Sequence, residues 1–303
     1  MSNAPATNAP LNPAAPVMLG MKMPDVDVWS ERVTVALGQN PSLFTGPGTN
    51  AYLVGTGRER ILIDPGQGEA AFLPVLALAM ERCGCQRIQE IVLTHGHPDH
   101  IGGVRSVLAR FGRVRVRKLP SALFDGPYGD LGMEPLAAGE PVTTEGATLR
   151  GIHAPGHAPD HLNFMLEEER SLFSGDNVLG VGTTVIPAES GDLGDYLRSL
   201  DRLLAERPAR IYPAHGPVIA DGVAKLREYI AHRAERERQI LAALGRGPLR
   251  AMEIVQIVYA AYPPALHAPA AQSVVQHLRK LVREGSVRRD DAASDLDARW
   301  TKA

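Results

Sequence analysis

Cysteine is nearly absent: among 303 residues there are two, Cys83 and Cys85. A disulfide framework is thereby excluded, and two thiols without further local partners fit neither a zinc knuckle nor a redox pair. They read as ordinary thiols in a reducing cytosol. Aromatic residues make up only 5% of the chain, which leaves few platforms for stacking bases. The formal charge of −2 exerts no global pull on nucleic acid, so such a partner would need local patches. No window approaches the roughly 20 apolar residues of a membrane span. Met1–Pro16 has neither Lys nor Arg and no continuous apolar stretch, unlike a secretory signal. Residues 1–24 are expected to be a disordered tail of a cytoplasmic protein.

What is present is a chain with 44% hydrophobic and 22% charged residues, enough for a substantial core. Short apolar runs at 51–54, 61–63, 91–93, 149–152, 163–166, 172–173 and 211–212 are punctuated by Gly and Pro. They read as strands. Helical patterns over 69–82, 104–111 and 196–206 alternate with them, which predicts a layered α/β domain over residues 25–221. Near Asp221 the texture changes. A long charged helix over 222–244, helices over 252–262 and 270–284, and short strands at 286–289 and 298–301 follow. Gly285 stands where a glycine ends a helix. Residues 222–303 are therefore expected to be a linker helix and a small winged-helix domain.

The chemistry concentrates in His95-Gly96-His97-Pro98-Asp99-His100, directly after an apolar strand. Imidazole and carboxylate suit zinc and similar cations. Read as an extended segment, the run throws His95, His97 and Asp99 to one side and leaves His100 for a second ion. Gly156-His157, Ser174-Gly175-Asp176 and Ala214-His215 also follow apolar runs. Seven of the ten histidines fall between 95 and 215, which weighs against scattered surface rings. Five His and two Asp (His95, His97, Asp99, His100, His157, Asp176 and His215) suit two cations about 3.5–4 Å apart that share a carboxylate.

These motifs resemble the metallo-β-lactamase superfamily. The resemblance implies an αββα sandwich with two zinc ions at one edge. His95, His97 and His157 would hold the first, Asp99, His100 and His215 the second, and Asp176 would bridge. It further implies hydrolysis by a metal-bound hydroxide, with Asp99 as both ligand and catalytic orienter. Asp64 matches a position that orients a ligand histidine, and an N-cap role is the alternative. Residues 44–50, residues 180–185 and the appended winged helix resemble the β-lactamase-like protein 2 group, whose best-studied members are endoribonucleases. That implies phosphodiester cleavage in single-stranded RNA. One alternative is a thioester or lactone hydrolase of glyoxalase II type, although its C-terminal domain is built differently. Another is a nucleic-acid-binding winged-helix protein with a vestigial metal domain, against which the complete ligand set speaks.

Other residues carry two readings each. His153 and His161 are packed rings or partners of ligands. Asp160 shuttles a proton or stabilises a turn, and Thr183 and Thr184 contact substrate or pack in a strand. The segment Arg105–Lys118 has six basic residues and no acidic one. Alternation there predicts valines inward and Arg113, Arg115 and Arg117 outward, on phosphates or on solvent. Arg279, Lys280 and Arg283 form the polar face of a recognition-like helix. The expected partners are single-stranded RNA or a small thioester, no membrane, and a second copy of the chain.

Overall fold

The computed structural model describes residues 20–303, so most of the tail expected over 1–24 lies outside the described residues. The first sheet holds β1 (Val26–Ser30), β2 (Val33–Leu37), β3 (Asn50–Val54), β4 (Glu59–Ile63), β5 (Arg87–Val92), β6 (Arg115–Lys118) and β7 (Glu134–Pro135), in that spatial order. It is antiparallel as far as β4 and parallel from there on. The second sheet holds β8 (Pro141–Thr144), β9 (Ala147–His153), β10 (Leu162–Leu166), β11 (Ser171–Gly175) and β12 (Arg210–Pro213), ordered β12-β11-β10-β9-β8.

Two apolar faces per sheet demand two covers. Val33, Tyr52 and Ile63 of the first sheet meet Leu162, Phe164 and Phe173 of the second in the inner core. The outer face of the first sheet packs under α1 (Phe72–Arg82) and α3 (Val104–Phe111), which follows the short α2 (Pro98–Ile101). The outer face of the second packs under α4 (Leu193–Ala205) and the start of α5 (Gly222–Leu244). This is an αββα sandwich. Strands buried on both faces read as continuous apolar runs rather than alternation, and every residue of β10 and β11 is buried.

The same burial corrects the reading of the basic strand. It runs from Arg115 to Lys118, and only Arg115 keeps the outward position. Arg117 and Lys118 are buried, against Glu90 and Glu140 in one case and Asp160 and Asp125 in the other. Alternation fails because this strand lies inside a covered parallel sheet, where both faces point into protein.

The chain ends in a small three-stranded sheet, β13 (Leu249–Arg250), β14 (Val287–Arg289) and β15 (Arg299–Lys302), ordered β13-β15-β14, with α6 (Ala251–Val258) and α7 (His267–Arg283). Its core joins Val274, Val275, Leu278 and Leu281 of α7 to Trp300 and to Ile240 and Leu244 of α5. Helix α6 stops four residues before the expected Tyr262, and Tyr259 already leaves helical geometry with a φ of −115° and a ψ of 23°. Gly285 takes a left-handed φ of +74° just past α7, as a helix-ending glycine does. Helix α5 serves both cores, Leu226 and Tyr229 in the sandwich and Ile240 onward in the terminal domain. Among the described residues, no helix is long and apolar enough to cross a membrane.

Candidate metal centre

Strand β5 ends at Val92, and Pro98 opens α2 with His97 at its N-cap. The chain therefore turns helical inside the motif, and the extended reading needs correction. Asp99 falls on the helical turn beside His100, not on the side of His95 and His97. Two donor sets result: His95, His97, His157 and Asp176 in one, Asp99, His100, Asp176 and His215 in the other, the atoms of each within 4.8 Å of one another. Asp176 belongs to both. All seven residues singled out from the sequence thus converge at one edge of the sandwich.

In the first set, His97 Nδ1 lies 2.9 Å from His95 Nε2 and 3.0 Å from His157 Nε2. The opposite nitrogens are anchored. His157 Nδ1 donates to the Val185 carbonyl at 2.8 Å, and His95 Nδ1 lies 3.0 Å from the Thr94 hydroxyl. In the second set, His215 Nε2 lies 3.1 Å from Asp176 and 3.3 Å from Asp99. His100 Nε2 lies 3.4 Å from each of the same two carboxylates.

Asp64 fixes His100. Its Oδ2 takes the His100 Nδ1 proton at 2.8 Å and the Thr94 hydroxyl at 2.6 Å, while Oδ1 takes the Thr94 amide at 2.8 Å. A carboxylate behind the ring sets the tautomer and aims Nε2 into the cluster. The N-cap alternative is excluded, since α1 begins only at Phe72. Glycine is required before His157: a Cβ on Gly156 would come within 2.3 Å of the Tyr196 backbone, and its φ is +126°.

The donor set fits divalent cations. Nitrogens bound tetrahedrally at about 2.0–2.1 Å lie about 3.3 Å apart, close to the separations found. His100 Nε2 and Asp176 Oδ1 are buried with no hydrogen-bond partner, a cost that a bound cation removes. Electrostatics separate the two sets. Burial, then the neighbouring His157, hold His97 down to about 4, and burial with crowding rings holds His95 low. Burial also disfavours the charged form of His215, yet Asp176 and Asp99 outweigh it and lift that ring to about 9.

The match to known proteins agrees with this geometry. Residues 44–215 match the model of the metallo-beta-lactamase superfamily. The chain belongs to that superfamily. Residues 251–300 match the beta-lactamase associated winged helix domain, so the fold is a metallo-β-lactamase domain followed by a winged helix. A beta-lactamase-like protein 2 homolog of Drosophila melanogaster is 38% identical over 288 residues, 90% of this chain and 95% of the relative. An atrochrysone carboxyl ACP thioesterase of Aspergillus chevalieri is 40% identical over 265 residues, 84% of this chain and 82% of the relative. A crystal structure of a metallo-beta-lactamase family protein from Thermus thermophilus superposes with a TM-score of 0.68 at 27% identity, over 84% of this chain and 94% of that one. The protein is a metal-dependent hydrolase of this superfamily.

The structure decides between the two readings that several residues carried. His161 is buried and not among the donors. Its Nε2 accepts the Asp176 amide at 3.1 Å, and its ring stacks on His95 at 4.7 Å. His153 lies away from the centre, bonded to the Pro159 carbonyl at 2.8 Å. Asp160 is buried and bonded to Lys118 Nζ at 2.5 Å, so it is committed to an ion pair. Thr184 is buried as well, donating to the Asp176 carbonyl at 2.7 Å. Lys118 carried no signal of this role, since it reads as the last member of a basic strand. Both cysteines are free thiols.

Proposed function

We propose that the chain is a dinuclear zinc hydrolase acting on a carbonyl substrate with an apolar acyl part, a thioester or lactone. His95, His97 and His157 would hold one ion, Asp99, His100 and His215 the other, and Asp176 would touch both. Imidazole-rich sites with carboxylates suit zinc. When bound, such a pair supplies a water of lowered pKa and polarises the scissile group. The protein's own residues do the rest. Asp64 and Val185 hold the rings of His100 and His157, and half-buried Asp99 presents its carboxylate at the solvent edge, where it would orient an incoming water.

The observation that carries the substrate class is the apolar character of the loops tied to the centre. Phe44 is 64% exposed and Leu123 58% exposed. Phe44 lies in the loop whose Gly48 carbonyl faces His215, and Leu123 adjoins Phe124, whose ring packs on His97 at 5.0 Å. Val185, exposed as well, is the residue that anchors His157. A relative named as an ACP thioesterase, matched across both domains, supports the same reading.

Single-stranded RNA is the second reading. It is favoured by the likeness to beta-lactamase-like protein 2 homologues and by exposed Arg113, which makes no ion pair among the described residues. Assaying zinc-reconstituted protein on acyl-thioesters of rising chain length beside an RNA oligomer separates the two. Each added methylene that reaches the apolar rim should raise kcat/KM by about fourfold, from about 0.8 kcal/mol per buried CH₂. RNA cleavage that outpaces every thioester would overturn the choice.

A further inference from the structure

Segment 177–192 joins β11 to α4 without regular secondary structure. Loops of that length cost entropy to hold in one conformation. Here the C-terminal part of the chain holds it. Buried Arg233 of α5 donates to the Thr184 carbonyl at 2.5 Å, and the Tyr229 hydroxyl donates to the Gly182 carbonyl at 2.9 Å. From α7, Gln276 donates to the Pro187 carbonyl and Arg279 to the Ala188 carbonyl, each at 2.8 Å. Arg283 pairs with Asp192 at 2.8 Å, the residue that caps α4.

The residues so held touch the metal centre from two sides. The Thr184 hydroxyl donates to the backbone carbonyl of Asp176 at 2.7 Å, and the Val185 carbonyl fixes the His157 ring at 2.8 Å. We propose that α5 and the winged-helix domain together clamp segment 177–192, with Arg233 of α5 and Gln276 of α7 as positioning residues for Asp176 and His157. The polar face of α7 is taken up by such contacts, since Arg279 also pairs with Asp295, and Lys280 with Glu237 and Glu284. It faces the hydrolase domain rather than a nucleic-acid groove. Removing Arg233 would leave the Thr184 carbonyl buried and unpaired, a loss that the loop relieves only by moving. The step from Arg233 to His157 passes through one residue, Val185.

This proposal rests on the cluster being a metal centre, and the test separates the two. Full-length protein and the variants Arg233→Gln, Arg233→Lys and Gln276→Ala are stripped of metal and titrated with zinc against a chromophoric chelator. The visible spectrum of the cobalt-loaded forms is recorded in parallel. Arg233→Gln should bind zinc about 10–100-fold more weakly, the range for losing a residue that supports a ligand, with altered cobalt bands. Gln276→Ala should shift both in the same direction by less. Arg233→Lys, which keeps a donor, should recover most of the affinity, while the thermal midpoint of the metal-free protein stays within a few degrees throughout. Unchanged zinc affinity and cobalt spectra in Arg233→Gln and Gln276→Ala overturn the clamp. So does a loss matched by a fall in metal-free stability and not rescued by lysine. A parent protein that binds no zinc overturns the metal centre itself.

Discussion

One helix separates two segments that are equally dense in ionisable residues, His95–His100 and Arg113–Lys118. Their fates are opposite. In the first, donor atoms converge from four loops and His100 Nε2 is left without a hydrogen-bond partner. In the second, Arg115 and Arg117 meet Glu90, Arg117 meets Glu140, and Lys118 meets Asp160 and Asp125. Buried charge must be paired or must coordinate an ion. Arg115, Arg117 and Lys118 satisfy their charges from within the fold and, among the described residues of that segment, only exposed Arg113 does not, whereas the histidine cluster keeps its donors aimed at one another. Density of charged residues is therefore a poor guide to a site, and unsatisfied convergent donors are a good one.

The strongest way to break the comparison is to remove the carboxylate both donor sets share. Asp176→Ala should lower turnover by on the order of 10² to 10³ or more, the cost of losing one preorganised electrostatic group. Metal content by elemental analysis should fall from about two ions per chain toward one, with the circular dichroism unchanged. Near-parental activity in that variant would mean the cluster is not the reaction centre. A gentler cut is Asp64→Asn, which keeps the shape but weakens the acceptor behind His100. About 10–100-fold weaker metal binding is expected, read by chelator competition.

His277 tests whether a buried ring without hydrogen bonds is enough to make a site. It is buried in α7 with neither nitrogen hydrogen-bonded, its Nδ1 3.7 Å from Glu237 and near Arg233 and Arg236 of α5. Burial, the largest influence, holds it down to about 4. Its folded-state pKa lies below the unfolded value, so the unfolded chain takes up the proton first and stability falls as pH drops from about 6.5 toward 4. The loss from this residue should reach about 1 kcal/mol by pH 5.5 and about 3 kcal/mol by pH 4. Thermal melts across that range should show the acid limb in the parent and a flatter one in His277→Leu. Equal limbs would assign the acid sensitivity elsewhere.

The smallest effect is expected from the basic strand. Replacing Arg113, Arg115 and Arg117 together with Gln should change the log–log salt slope of RNA binding by less than about 0.7, the value of one phosphate contact on a single strand. A drop of two or more contacts would restore this strand as a nucleic-acid surface.

The residues of the centre are legible in the sequence because ligand chemistry restricts residue type and each donor follows an apolar run. The layered α/β order and the terminal helices and hairpin are legible for a similar reason, since apolar periodicity records which faces are covered. The grouping of Asp99 with His100 and His215 follows from the family resemblance but not from strand spacing, as Pro98 turns the chain helical within one residue of His97. Neither is the burial of Arg117 and Lys118, whose partners at Glu90, Glu140 and Asp160 lie far along the chain.

By itself, the amino-acid sequence determined the superfamily, the donor residues and the order of a hydrolase domain and a winged helix. Each of these depends on local pattern and residue chemistry. Only the tertiary structure decided which charges remain available, which buried histidine lies beside the donor sets rather than in them, and which way α7 faces. Those outcomes depend on who is brought within hydrogen-bonding distance of whom. Arg233 reads as one charge among many on a long helix, and it acquires a role only where the fold lays Thr184 against it.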